Sequence, residues 1–218
     1  MAVMNVNPTR MQLTKLKKQL TTAVRGHKLL KDKRDELMRQ FLDLMRENKI
    51  LRASVEERLK EINNHFAEAS AVMSSKALDA SLLVPKQQLS LSVSTRNVMS
   101  VDIPEFSSEA VRSEGGDLYP YGFAYTSFEL DGAVTALDEL TADLVRLAQI
   151  EKSTELMSSE IEKTRRRVNA LEHVLIPRYR ETIKYITMKL EENERGSRTR
   201  LMKVKDMMLD KAHNYSGV

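Results

Sequence analysis

Between Leu13 and Lys76 one stripe of residues recurs every three or four positions: Leu13, Leu16, Leu20, Ala23, His27, Leu30, Arg34, Leu37, Phe41, Leu44, Asn48, Leu51, Val55, Arg58, Ile62, His65, Ala69, Val72 and Lys76. Thirteen of these nineteen are apolar. The run exceeds the three or four heptads that mark a coiled coil. Asn7-Pro8 reads as its start, with Asn7 as cap and Pro8 at the first helical position. No proline follows before Pro85, and Gly26 is the only glycine. A helix from Thr9 to Lys76 would extend roughly 100 Å at 1.5 Å per residue.

A second run begins with Leu137, Leu140, Leu144 and Leu147 and continues through Met157, Ile161, Val168, Leu171 and Leu175. The spacing then becomes successive fours through Tyr179 and Ile183, before Ile186, Leu190, Leu201, Val204 and Met208. Such a stutter unwinds a supercoil, and it coincides with Pro177, which kinks or curves a helix. The curvature is either tolerated or shaped to a partner. Long helices with a narrow apolar stripe depend on packing, and the nearest partner for each is the other. The expected fold is therefore all-α: an antiparallel two-helix coiled coil of the N- and C-terminal helices, with a small central insert. Its seam would include Leu13, Leu16, Leu20, Leu30, Leu37, Leu44, Leu51, Val168, Leu171, Leu175, Ile183, Ile186 and Leu190. Polar seam residues His27, Arg34, Asn48, Arg58 and His65 either set register or leave gaps for side chains of another protein.

The expected divisions are a helix over 8–76, the insert over 77–128, a second helix over 129–211 and a flexible tail over 212–218. Within the insert, Gln88–Val93 and Val98–Ile103 have strand character, with a turn at Ser94-Thr95-Arg96-Asn97. Pro104, Gly115-Gly116 and Tyr119-Pro120-Tyr121-Gly122 then interrupt regular structure. Six of the eleven aromatic residues fall here. They form either a self-packed cap or a docking foot built on Tyr119, Tyr121, Phe123 and Tyr125.

Charge divides the chain. Residues 1–34 carry nine Lys or Arg against Asp32 alone, whereas 70–130 carries four bases against seven acids. The basic end comprises Arg10, Lys15, Lys17, Lys18, Arg198, Arg200 and Lys205. It has few aromatics to stack on bases and no reader motif, so no nucleic-acid partner is expected. Arg165-Arg166-Arg167 reads as a solvated helix face. There is no Gly-rich phosphate loop, the four histidines lack zinc-site spacing, and there is no cysteine. No catalytic residue, cofactor or metal is expected. No apolar run is long enough for a membrane span.

Pro8-Thr9-Arg10 and Gly26-His27-Lys28-Leu29-Leu30-Lys31-Asp32-Lys33-Arg34-Asp35-Glu36-Leu37 resemble the opening of the D subunit of V/A-type ATPases. Arg166-Arg167-Val168-Asn169-Ala170-Leu171-Glu172, Ile176-Pro177, and Leu201-Met202-Lys203-Val204-Lys205 resemble its C-terminal part. The resemblance implies a non-catalytic rotor shaft inside a ring of alternating A and B subunits. It further implies an F subunit bound to the side, a membrane-side coupling subunit of C or d type, and a cytoplasmic, peripheral location in a prokaryotic enzyme. The remaining alternative is a structural or tethering coiled-coil protein.

Overall fold

A computed structural model describes residues 4–112, 118–122 and 126–215. Phe123 and Tyr125 of the expected foot, Gly115-Gly116 and the tail beyond residue 215 lie outside the described residues. The elements are α1 (Arg10–Val72), α2 (Ser75–Leu82), β1 (Gln87–Val98), β2 (Val101–Arg112), α3 (Phe128–Ala170), a π-helical turn (Leu171–Leu175) and α4 (Ile176–Tyr215). They are distributed over two compact units, residues 35–162 and residues 1–34 with 163–218.

In the unit of residues 35–162, α1 and α3 run antiparallel. Cross-helix pairs show the direction: Glu47 with Arg146, Arg58 with Asp143 and His65 with Glu129. Two apolar clusters fill the seam. Val55 and Ile62 meet Ala133 and Leu140, with Leu51, Leu59 and Phe66 beside them. Leu37 meets Met157 and Ile161, and the hairpin residues Val101 and Ile103 insert into the same cluster. Leu37 and Leu140 are completely buried.

The hairpin is longer than the sequence suggests and turns elsewhere. Ser94-Thr95-Arg96-Asn97, expected as the turn, lies within β1 and pairs with Glu105-Pro104-Ile103-Asp102. The chain reverses at Met99-Ser100, both at positive φ (52° and 69°). This is the two-residue type I′ geometry whose twist matches paired strands. Asn97 supports it, accepting from the Ser100 N–H at 3.1 Å and donating to Asp102 at 2.7 Å. Pro104 does not end the strand. Antiparallel pairs alternate outward from the turn, which places Thr95↔Pro104 at a non-hydrogen-bonded position where no N–H is needed. At Phe106, also outward-facing by this alternation, the N–H donates to Gln149 Oε1 on α3 at 3.1 Å.

The helix limits also differ from the expectation. Thr9, not Asn7, caps α1: its hydroxyl accepts from the Gln12 N–H at 3.3 Å, so Pro8 precedes the cap. At the other end α1 stops at Val72, and Ser74 caps α2 by accepting from the Ala77 N–H. Serine competes well for that position, which ends the first helix before Lys76.

In the other unit, the first part of α1 pairs with α4 and the end of α3. Arg10 bonds Glu194, and His27 Nε2 lies 3.3 Å from Glu172 Oε2. Leu16, Val168, Ile176 and Ile186 form its buried apolar positions. The π-helical turn accounts for the successive fours in the spacing. Ile176 N–H donates to the carbonyl of Leu171, five residues back, so one extra residue is absorbed locally, next to Pro177.

Candidate functional site

The residues singled out for function fall into three surfaces. At the basic end, Arg10, Lys15, Lys17, Lys18, Arg198, Arg200 and Lys205 are all exposed. They share this end with apolar side chains that α1 does not cover. Leu201, Met202, Val204, Met207, Met208 and Leu209 are 42–69% exposed. The helix pair closes near Arg10 and Glu194, and the segment before α1 turns back along α4, where the Met4 N–H donates to Thr182 Oγ1 at 3.1 Å. Every residue of α4 from Leu201 to Asp210 is exposed.

Along the seam, Leu16, Leu37, Val168 and Ile186 are buried. Leu13, Leu20, Leu30, Leu44, Leu51, Leu171, Leu175, Ile183 and Leu190 are half-buried. Leu201, Val204 and Met208, which continue the same spacing, are exposed because among the described residues no second helix reaches them. Polar seam residues face carboxylates on the opposite helix: His27 with Glu172, Arg58 with Asp143 and His65 with Glu129. Such half-exposed pairs contribute about 0–1 kcal/mol each.

Sequence periodicity missed the buried hydroxyls. Ser153, Thr154, Thr164 and Thr182 are almost inaccessible. Ser153, Thr154 and Thr182 donate to carbonyls of their own helix turns at 2.7–2.8 Å, which removes the cost of burying an unpaired hydroxyl. The available signal was a small β-branched or hydroxylic residue beside the stripe, which hydropathy alone discounts.

Near the loop end, Tyr119 and Tyr121 are half-buried and engage their own chain. Their rings lie 5.9 Å apart. The Tyr119 hydroxyl is 3.0 Å from Thr135 Oγ1, and the Tyr121 hydroxyl donates to Asp131 at 2.8 Å. An apolar cleft of about 300 Å³ opens beside them, walled by Phe66, Leu82, Leu89, Pro120 and Leu137. On the outer side of α1, Met38, Leu42 and Met45 form another partly exposed apolar stripe, 40–48% accessible.

Among the described residues, one group has metal-ligand character: atoms of His65, Glu68 and Glu129 lie within 4.8 Å of one another. His65 Nδ1 already meets Glu129 Oε2 at 3.0 Å, so an ion pair accounts for the arrangement. No helix among the described residues is long and apolar enough to cross a membrane.

The sequence that builds these paired helices and the hairpin has known relatives. A family model for the D subunit of ATP synthase matches residues 12–206. The chain belongs to that family. It is 62% identical to the V-type ATP synthase D subunit of Acetivibrio thermocellus over 215 residues, 99% of this chain and 97% of the relative. It is 60% identical to the protein of that name from Clostridioides difficile over 212 residues, 97% of this chain and 95% of the other. With the Clostridium novyi protein of the same name the identity is 57% over 209 residues, 95% and 97% of the two chains. Family membership covers both helices, the hairpin and most of the uncovered end of α4.

Proposed function

We propose that this chain is the shaft through which a V-type rotary ATPase passes torque between its ATP-handling ring and its membrane ion-translocating ring. Its family makes it a central-stalk component of such an enzyme. In this reading the chain performs no chemistry of its own. It binds a ring of A and B subunits at the basic end, the F subunit on its side and a membrane-side coupling subunit of C or d type at the loop end.

The observation that carries the reading is the uncovered end of α4. Six apolar side chains between Leu201 and Leu209 stand exposed among Lys203, Lys205 and Asp206. Apolar residues at this density need a cover, and a surrounding collar supplies one on all sides of a single helix. The flanking cations Arg10, Lys15, Lys17, Lys18, Arg198 and Arg200 would guide docking, with an effect that salt screens. The F subunit is assigned to residues 40–65 and 140–165, where Leu42 and Met45 offer a lateral apolar stripe. Tyr119 and Tyr121, with the cleft beside them, suit the coupling subunit.

Rotation can be tested directly because the chain has no native cysteine. Lys205 is exposed, so Lys205→Cys leaves packing within the chain intact. Joined by oxidation to a cysteine on the facing ring protein, it should stop multi-turnover ATP hydrolysis, and a reductant should restore it. A bond from the shaft to the F subunit should leave hydrolysis running, since both turn together. High-yield crosslinking to the ring with undiminished hydrolysis would instead identify a static tether.

A further inference from the structure

We propose that Gly26 and the Leu171–Leu175 turn form a bending node in the helix pair of residues 1–34 and 163–218. Both helices are weakened at one level, for different reasons. On one side, the π-helical turn replaces the regular ladder, with Ile176 N–H reaching the Leu171 carbonyl. Pro177 follows at once and has no N–H to donate to the carbonyl of His173, four residues earlier. Proline and π-turns are among the established causes of helix bending. Val174, in the middle of this turn, is 54% exposed, so packing does not hold the turn from outside.

On the other side stands Gly26, in the interior of α1. A Cβ added there would meet nothing within 4 Å, so close packing within the chain does not require glycine. Glycine nevertheless weakens a helix relative to alanine through its backbone entropy. His27, the next residue, touches Glu172 of the π-turn at 3.3 Å, which sets the two weak points level. The α1 side of the seam also carries small and polar residues here. From Lys17 to Arg34 no α1 side chain is fully buried, because the stripe passes through Ala23, His27 and Arg34 instead of bulky apolar residues. On the facing helix Val168 and Ile176 remain buried at this level, so the pair stays in contact where each backbone is least stiff.

Bending at this node lets the basic end tilt while the seam on either side stays packed. In a shaft, that would keep a ring-held end seated as the remainder leans. This consequence rests on the function proposed above, whereas the node itself does not.

The test uses the full-length chain carrying nitroxide labels at Lys17→Cys and Lys163→Cys, both exposed and on opposite sides of the node. Lys49→Cys with Lys60→Cys, on one uninterrupted stretch of α1, is the reference pair. Pulsed dipolar spectroscopy should give a distance distribution for the node pair about twofold wider than for the reference. Combining Gly26→Ala with deletion of Val174, which returns the run from Val168 to Leu190 to a heptad average, should narrow the node pair and leave the reference unchanged. Should the deletion lower helical circular dichroism, Gly26→Ala alone carries the test and must narrow the distribution. A node pair as sharp as the reference overturns the proposal, and so does a wide one that these changes leave unaltered. Neither result depends on assembly with a ring, so the axle reading is tested separately.

Discussion

The phenol of Tyr121 donates to the Oδ1 of Asp131 on α3 at 2.8 Å. Burial first, then the hydrogen bond and charge of Asp131, push its pKa well above the ordinary tyrosine value. The unfolded chain would release this proton near pH 10, whereas the folded chain keeps it. Stability from this group is therefore complete below about pH 10 and falls as pH rises towards the folded pKa. In a native alkaline titration followed by tyrosinate absorbance, Tyr121→Phe should lose no amplitude up to about pH 11. A loss of one tyrosine's amplitude in that range would show that the contact does not hold the proton.

Leu140 is fully buried between α3 and α1, beside Val55, Ile62 and Ala133. Leu140→Ala should destabilise the fold by about 2–4 kcal/mol, through lost transfer energy and the cavity left behind. Ile50→Ala, at a position 73% exposed, should change it by no more than about 0.5 kcal/mol. Urea denaturation followed by circular dichroism separates the two. Equal effects would contradict the packing described here.

The hairpin turn places two non-glycine residues, Met99 and Ser100, at positive φ. Replacing them with Asn-Gly, the preferred type I′ pair, should stabilise the hairpin by about 1 kcal/mol. Slower amide exchange in β1 and β2, with little change in α4, is the expected result. Faster exchange would mean that Met99 or Ser100 makes a stabilising contact outweighing the backbone strain.

Reversing Arg10, Lys15, Lys17 and Lys18 to Glu should slow assembly with the A/B ring, most strongly at low salt. Exposed charges separated by more than about 10 Å are screened at 0.1 M, so added salt should shrink the difference. Binding of the F subunit should change little. Normal ring assembly with loss of F binding would reverse the proposed orientation of the shaft.

Much of the architecture is legible in the sequence because a 3-4 apolar stripe reports which face of a helix is buried, and it does so residue by residue. Leu37, Val168 and Ile186 are seam residues on that ground, and all three are inaccessible in the fold. The alternation of Leu89, Leu91 and Val93 likewise indicates a strand. Periodicity carries no information about what covers a face. That is why Leu201, Val204 and Met208 match the stripe yet lie open to solvent.

The sequence alone determined the long helices, the presence of a hairpin between them and the family resemblance, since these rest on spacing and local motifs. Tertiary structure decided where the patterns are interrupted. Met99-Ser100 lacks the Asn-Gly signature of a tight turn, and only the docking of Val101 and Ile103 against Leu37 and Met157 goes with that register. The extra residue near Pro177 could be absorbed by gradual unwinding or by one π-turn, and both give the same spacing. Only the backbone hydrogen bond from Ile176 to Leu171 distinguishes them, because it records where the helix yields while the buried positions on either side remain packed.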